Sequence, residues 1–335
     1  MSITRKLKTI TIRLLPFAIL GLVIWKADLS TIVRLLQGTR IEVVGIGYLL
    51  LEVGILLRAI RWKILAREQN IIYQFRRALA LFRIGWFTGV FLPQGFGAMA
   101  KIVYMQADGH PSAPSAASVV LERALDLVSL VVYGIAGIVY LFIIGLVKAS
   151  LSPNYEALIV VACSFAFIFL LALYASKSKS TFQLRQRIKA AGQKRKIVLW
   201  FVKLWHALIK TRPLLLIYLM FMTLIIWMIH ALSAYVLLKA IQIRISFILS
   251  MAIFAVAGLS VSIPISIDGV GLREGATFLL FRQLELSGEA AVMWAAMISA
   301  TSLFSRLLGT PLLAAMPIPW KEAMKRAKDK SYRNI

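Results

Sequence analysis

The stretch from Gly258 to Gly275, GLSVSIPISIDGVGLREG, interrupts an apolar chain and limits what can surround it. Apolar helix is expected from Phe247 and again from Ala276. Between them stand Pro264, the pair Asp268-Gly269, Gly271 and the pair Arg273-Glu274. Proline has no N–H to donate and glycine favours the unwound chain, so the helix must break here. A break at membrane depth frees backbone groups that lipid cannot satisfy. It survives only when enclosed by protein or lining a wet cavity. Charges at that depth are costly and mark a site by default. A kinked helix braced by a structural ion pair is the plainer alternative; the site is the reading carried forward.

The membrane itself follows from composition. Of 335 residues, 60% are hydrophobic, and the mean hydropathy is +0.82. Soluble domains hold about 45–50% apolar residues. A net charge of +25 would suit nucleic acid, but the basic residues flank apolar runs, as they do on a cytoplasmic membrane face. No nucleic-acid partner is expected. Cys163 is the single cysteine, and His110, His206 and His230 are scattered without ligand spacing. No disulfide framework, metal centre or cofactor is therefore expected.

The expected fold is all-α: a polytopic helical membrane protein forming a single transmembrane domain over 1–335. About six full spans fall near 14–25, 41–57, 127–147, 157–175, 214–238 and 290–316. The first is retained, because no small-x-small cleavage site follows Trp25-Lys26-Ala27. A connector from Arg58 to Arg83 alternates charge with apolar residues. It reads as interfacial helices with Trp62 and Tyr73 at headgroup depth. Residues 84–114 contain FTGVFLPQGFGAMAK, too broken by Pro93, Gly95 and Gly97 for a simple span, and read as a re-entrant hairpin; 247–284 reads as a second. A basic cytoplasmic connector covers 176–213, and a basic cytoplasmic tail covers 317–335.

Orientation comes from Lys and Arg. Of 39 such residues, four precede Leu14, seven lie in Arg58–Arg83, eleven in Ser176–Pro213 and six in the tail. The intervening loops hold six. The positive-inside rule then places both termini in the cytoplasm. The two broken stretches echo one another. Pro93 is followed by Gly95, Gly97 and Lys101; Pro264 is followed by Gly269, Gly271, Arg273 and Glu274. On this topology they enter from opposite faces, which is compatible with an inverted repeat whose site lies near the midplane.

Within LERALDL, Glu122 and Asp126 are four residues apart and share a helix face, with Arg123 beside them. They form either a snorkelling ion pair at the membrane border or part of the site. A half-helix N-terminus after Gly271 would offer N–H groups and positive potential to a phosphate, with Arg273 in its first turn and Lys101 on the opposing hairpin. Such cations beside acids suit an anionic or zwitterionic substrate that already lives in the membrane.

The segments LLRAIRWKIL (with Arg61), FTGVFLPQGFGAMAK, LERALDL and SIPISIDGVGLREG, in this order, resemble the lysylphosphatidylglycerol synthase transmembrane region family of flippase-like proteins. The likeness runs from about Leu14 to Met316. It implies a lipid flippase or translocator in the bacterial cytoplasmic (inner) membrane. The cargo would be an anionic or modified phospholipid, or a lipid-linked phosphate, moved between leaflets. In the best-known members a soluble aminoacyl-transferase domain follows. These 335 residues carry none, so this chain is expected not to be an enzyme and not to make lysylphosphatidylglycerol. Where the family's hairpin commonly has a glutamate before its basic residue, here the sequence is Gly-Phe-Gly-Ala-Met-Ala-Lys. The alternative is a membrane enzyme, or a subunit of one, acting on a lipid-linked phosphate or sugar. Against it, there is no Asp-x-Asp pair and no histidine near the acids; there is also no Walker A motif. Headgroup contacts are assigned to Arg61, Pro93, Gly95, Gly97, Lys101, Glu122, Arg123, Asp126, Pro264, Asp268, Gly269, Gly271, Arg273, Glu274 and Arg306, none of them catalytic or metal-binding. Membrane phospholipids, a separate lipid-modifying enzyme and a second copy of the chain are the candidate partners.

Overall fold

In the computed structural model the described residues are 29–91, 96–144, 203–208, 210–261 and 271–325. They are helical, with no strand among them. The spans expected at 14–25 and 157–175 lie outside them, as do Pro93, Gly95, Pro264, Asp268 and Gly269.

Ten α-helices lie among the described residues: α1 (Leu29–Gln37), α2 (Ile41–Glu68), α3 (Phe75–Thr88), α4 (Met99–Ala107), α5 (Ser112–Ile143), α6 (Pro213–Ala240), α7 (Phe247–Val261), α8 (Leu272–Gln283), α9 (Gly288–Leu307) and α10 (Gly309–Ala315). Among the described residues four stretches are long and apolar enough to cross a membrane: α2, α5, α6 and α9 with α10. The 28 residues of α2 rise about 42 Å at 1.5 Å each, more than the about 30 Å of hydrocarbon. Ile46, Leu49, Val53 and Leu56 of α2, and Ile217, Phe221 and Met228 of α6, are exposed apolar side chains, as lipid-facing surfaces require. The protein is an all-α, multi-pass membrane protein.

The spine is the pair α2 and α6. Gly47 and Gly54 permit their close approach: a Cβ on Gly47 would stand 2.9 Å from the Leu237 side chain, and one on Gly54 2.3 Å from His230. Ser233 donates to the carbonyl of Gly47 at 2.7 Å. The helices are antiparallel. The Arg40 amide donates to Ala240 O at 3.0 Å at one end, and Arg212 pairs with Glu68 at 2.9 Å at the other.

Two differences from hydropathy alone matter for the site. The helix begun at Ile41 does not stop at Leu57. It continues to Glu68 and buries Arg58, Arg61 and Trp62 rather than leaving them at an interface. Likewise α5 starts at Ser112, so Glu122 and Asp126 lie well inside a helix and not at its border. The reason is common to both: the charges on α2 and α5 face each other inside the bundle, so protein and not water solvates them.

The order long helix, two short legs, long helix occurs twice. In the first, α3 and α4 fold back so that Tyr73, before α3, donates to Asp108, after α4, at 2.7 Å. Both legs therefore open at the Glu68 end of α2. In the second, α7 begins beside the late turns of α6, with Phe247 packed on Tyr235. The last turn of α8 lies beside α9, where Phe281 meets Trp294, whose Nε1 donates to Ala234 O at 2.7 Å. These legs open at the Arg40 end. Two apolar cores flank the spine: one around Trp62, Leu81 and Ile84 under the first pair, the other around Leu238, Phe281 and Trp294 under the second.

Candidate functional site

The two pairs of short legs meet around a cavity of about 480 Å³. The first pair contributes Gly85, Trp86, Gly89, Gly97 and Met99; the second contributes Phe254, Gly258, Arg273 and Thr277. The long helices supply Arg58, Arg123, Asp126, Trp227, His230 and Arg306. Among the described residues four guanidiniums and one carboxylate thus line an otherwise largely apolar space.

Asp126 is the centre of the charge arrangement. Its Oδ1 accepts from Arg61 Nη2 at 2.7 Å, and Arg61 Nη1 donates to Thr223 Oγ1 at 2.7 Å, tying α5, α2 and α6 together. Arg58 and Arg123 stand farther off, with Nη1 atoms 4.0 and 3.8 Å from Asp126 Oδ2, too long for hydrogen bonds. That oxygen is buried without a hydrogen-bond partner. Arg61 is fully enclosed and does not reach the cavity; Arg58 and Arg123 do.

Aromatic rings position the cations. The Arg58 guanidinium lies 5.8 Å from the Trp86 ring centre and 5.5 Å from that of Trp227, and the Arg306 guanidinium lies 4.4 Å from Trp86. Such contacts contribute about 0.5–2 kcal/mol each and hold flat guanidiniums in place.

Lys101 is placed otherwise than the sequence suggested. It is buried, ion-paired with Glu122, and sits 4.6 Å from the Trp62 ring centre and 4.9 Å from that of Phe82. Neither it nor Glu122 lines the cavity. The pair joins α4 to α5, which makes it a brace for the first leg pair.

Gly97 brings the legs together. A Cβ there would fall 2.3 Å from the Gly89 nitrogen, and Thr88 Oγ1 donates to Gly97 O at 2.9 Å. The backbone of this crossing forms one wall of the cavity.

Gly271 has φ +85° and caps α8. Its amide donates to Glu274 Oε2 at 2.7 Å, the reach-back of an N3 glutamate. The amide that the sequence offered to a phosphate is therefore already taken by Glu274. Arg273, one residue before it, turns to the cavity and donates to Ser299 Oγ on α9 at 2.8 Å.

Of the fifteen residues singled out from sequence, Gly97, Arg123, Asp126, Arg273 and Arg306 line the cavity. Arg61, Lys101, Glu122, Gly271 and Glu274 support it from behind, and the other five lie outside the described residues. Sequence reasoning missed Arg58, Trp86, Trp227 and His230. Arg58 had a signal, since it precedes Arg61 by three positions and so shares its face. A further, partly buried ion pair, Glu52 with Arg83, links α2 to α3, and Arg83 also donates to Ser305 O at 3.3 Å.

The family model described as lysylphosphatidylglycerol synthase TM region matches residues 11–309, nearly the whole chain. No curated protein and no solved structure matches it.

Proposed function

The chain belongs to the lysylphosphatidylglycerol synthase transmembrane region family, and from that premise we propose that it is a translocator, moving an anionic lipid headgroup between the leaflets of the cytoplasmic membrane. Family membership and the apolar spans make it a membrane protein linked to lipid handling. The step to translocation rests on one observation: among the described residues, the cavity at the junction of two oppositely opening leg pairs is lined by Arg58, Arg123, Arg273 and Arg306 against a single carboxylate. In a low-dielectric bundle a cation attracts an anion several-fold more strongly than in water. A phosphate drawn from a headgroup region finds its counter-charges there while acyl chains stay in lipid. Broken helices around a central site are the arrangement through which transporters alternate access. The reading includes cytoplasmic termini and membrane phospholipids as partners.

The experiment is translocation of acyl-chain-labelled anionic lipids, phosphatidic acid and phosphatidylglycerol, in proteoliposomes, read as loss of fluorescence on adding a membrane-impermeant quencher. Wild-type protein should expose inner-leaflet label faster than protein-free vesicles do, and Arg123→Gln should slow that exposure. A wild-type rate equal to that of empty vesicles, for anionic lipids generally, overturns the reading.

A further inference from the structure

We propose that the seat between Arg58 and Arg123 takes a terminal phosphate bearing two negative charges, so that the cavity's ligand is a lipid phosphomonoester rather than a phosphodiester lipid or an aminoacylated one. The inference deepens the transport reading and rests on the same cavity.

Charge balance in one buried cluster selects the ligand. Arg58, Arg61 and Arg123 converge on Asp126, and that carboxylate gives its one hydrogen-bonded oxygen to Arg61. Glu122 is closed off with Lys101. Among the described residues three guanidiniums thus face one carboxylate. Arg58 and Arg123 approach its free oxygen only to 4.0 and 3.8 Å, and the Nε of each is buried without a hydrogen-bond partner. Cations at this depth are held only against matching anions. A phosphodiester would offset one of the two surplus charges, whereas a dianionic phosphate offsets both. Guanidinium forks suit phosphate oxygens in pairs. The rings of Trp86 and Trp227 hold the Arg58 fork at the cavity wall, 5.8 and 5.5 Å away. An aminoacylated headgroup would add a cation to the surplus and be repelled.

The test measures binding without transport, using the full chain in detergent and the quenching of its tryptophan fluorescence. The probes are dodecyl phosphate, its methyl ester and inorganic phosphate. At pH 8 dodecyl phosphate should bind roughly tenfold to a hundredfold more tightly than the methyl ester. At pH 5, about one unit below the second phosphate pKa of about 6, only about a tenth of the monoester is dianionic, and the preference should fall several-fold. The charged and titratable groups around the seat are Arg58 from α2, Arg123 and Asp126 from α5, His230 from α6, Arg273 from α8 and Arg306 from α9, with Arg61 behind Asp126. Protonation of His230 or Asp126 would make the seat more positive and favour the dianion further, so it cannot by itself produce the expected fall in preference. Arg123→Gln, at a position one-third exposed, should reduce the preference at pH 8, as should Arg58→Gln. Equal affinities at pH 8, or a preference undiminished at pH 5, overturn the inference. Inorganic phosphate binding as tightly as dodecyl phosphate would assign a free anion and overturn the lipid part. Arg123-dependent movement of phosphatidylglycerol without any dianion preference would sink this inference and leave transport standing. A dianion preference with no lipid moved would uphold the seat and sink transport.

Discussion

Arg61 donates to Asp126 Oδ1 at 2.7 Å across 65 positions of chain, with the arginine fully enclosed. This contact sets the spacing of α2 and α5 and leaves the other carboxylate oxygen facing Arg58 and Arg123. Asp126→Asn should therefore act twice. It removes the counter-charge of a buried arginine, a loss of about 3–5 kcal/mol when one partner of such a pair goes. It also spoils the cavity. The expected result is a lower melting temperature in detergent together with lost translocation; unchanged values of both would mean that Arg61 is neutralised elsewhere.

The Lys101–Glu122 pair gives the opposite expectation. Because neither residue lines the cavity, the pair is a brace, and an apolar replacement of both is tolerable where removal of one is not. Lys101→Met alone should destabilise strongly, and Lys101→Met with Glu122→Leu should recover most of the loss. A thermal double-mutant cycle measures the coupling. Anion binding by the double variant should stay near wild type. Loss of binding in a stable double variant would return Lys101 to the list of ligand contacts.

How much of this was legible beforehand depended on whether a signal was local. Each of the four described long apolar stretches is visible in hydropathy, because lipid acts on every exposed face alike. The carboxylate helix and the broken stretches were visible as charges and glycines out of place. What failed was the assignment of depth. Arg58 and Arg61 look interfacial when α2 is read by itself, and only the presence of Asp126 on α5 makes an interior position tenable. Lys101 was read toward a phosphate because its partner Glu122 is 21 residues away on another helix. Trp86 and Trp227 carry no signal of their own, since an aromatic residue in an apolar run suits lipid and core equally.

The leg crossing is a steric claim. Gly97→Ala would put a methyl group 2.3 Å from the Gly89 nitrogen and 2.6 Å from Gly85 O, both backbone atoms that cannot swing away. Gly45, on α2, has nothing within 4 Å of its Cβ position. Gly97→Ala should yield little monodisperse protein on size exclusion, whereas Gly45→Ala should behave as wild type or slightly better, given alanine's about 1 kcal/mol helix preference. A well-folded Gly97→Ala protein would mean that the legs are not in contact there.

Topology is testable at loops joined by described contacts. Asn70 and Gln74 share the bundle end with the Arg212–Glu68 pair, while Gln242 and Ser287 share the other. With Cys163 replaced, cysteines at Gln242 and Ser287 should react with an impermeant maleimide added to whole cells. Those at Asn70 and Gln74 should react only after permeabilisation. The reverse pattern would invert the orientation without changing the fold.

The last prediction separates support from contact at the start of α8. Gly271 holds φ +85° and ψ −43°, a conformation that a side chain makes costly by about 1–3 kcal/mol. Its amide belongs to Glu274, and Ser299 Oγ lies 3.4 Å from the other carboxylate oxygen. Gly271→Ala should therefore lower the melting temperature while leaving dodecyl phosphate affinity unchanged in the protein that remains folded. Glu274→Gln keeps an oxygen for the Gly271 amide and should cost less than Glu274→Ala, which leaves the amide without its acceptor. Arg273→Gln should behave differently from all three, because Arg273 faces the cavity. It should weaken anion binding by roughly tenfold, with melting little changed. Should Gly271→Ala abolish binding at an unaltered melting temperature, the turn itself touches the ligand and Glu274 must give up the amide when the headgroup enters.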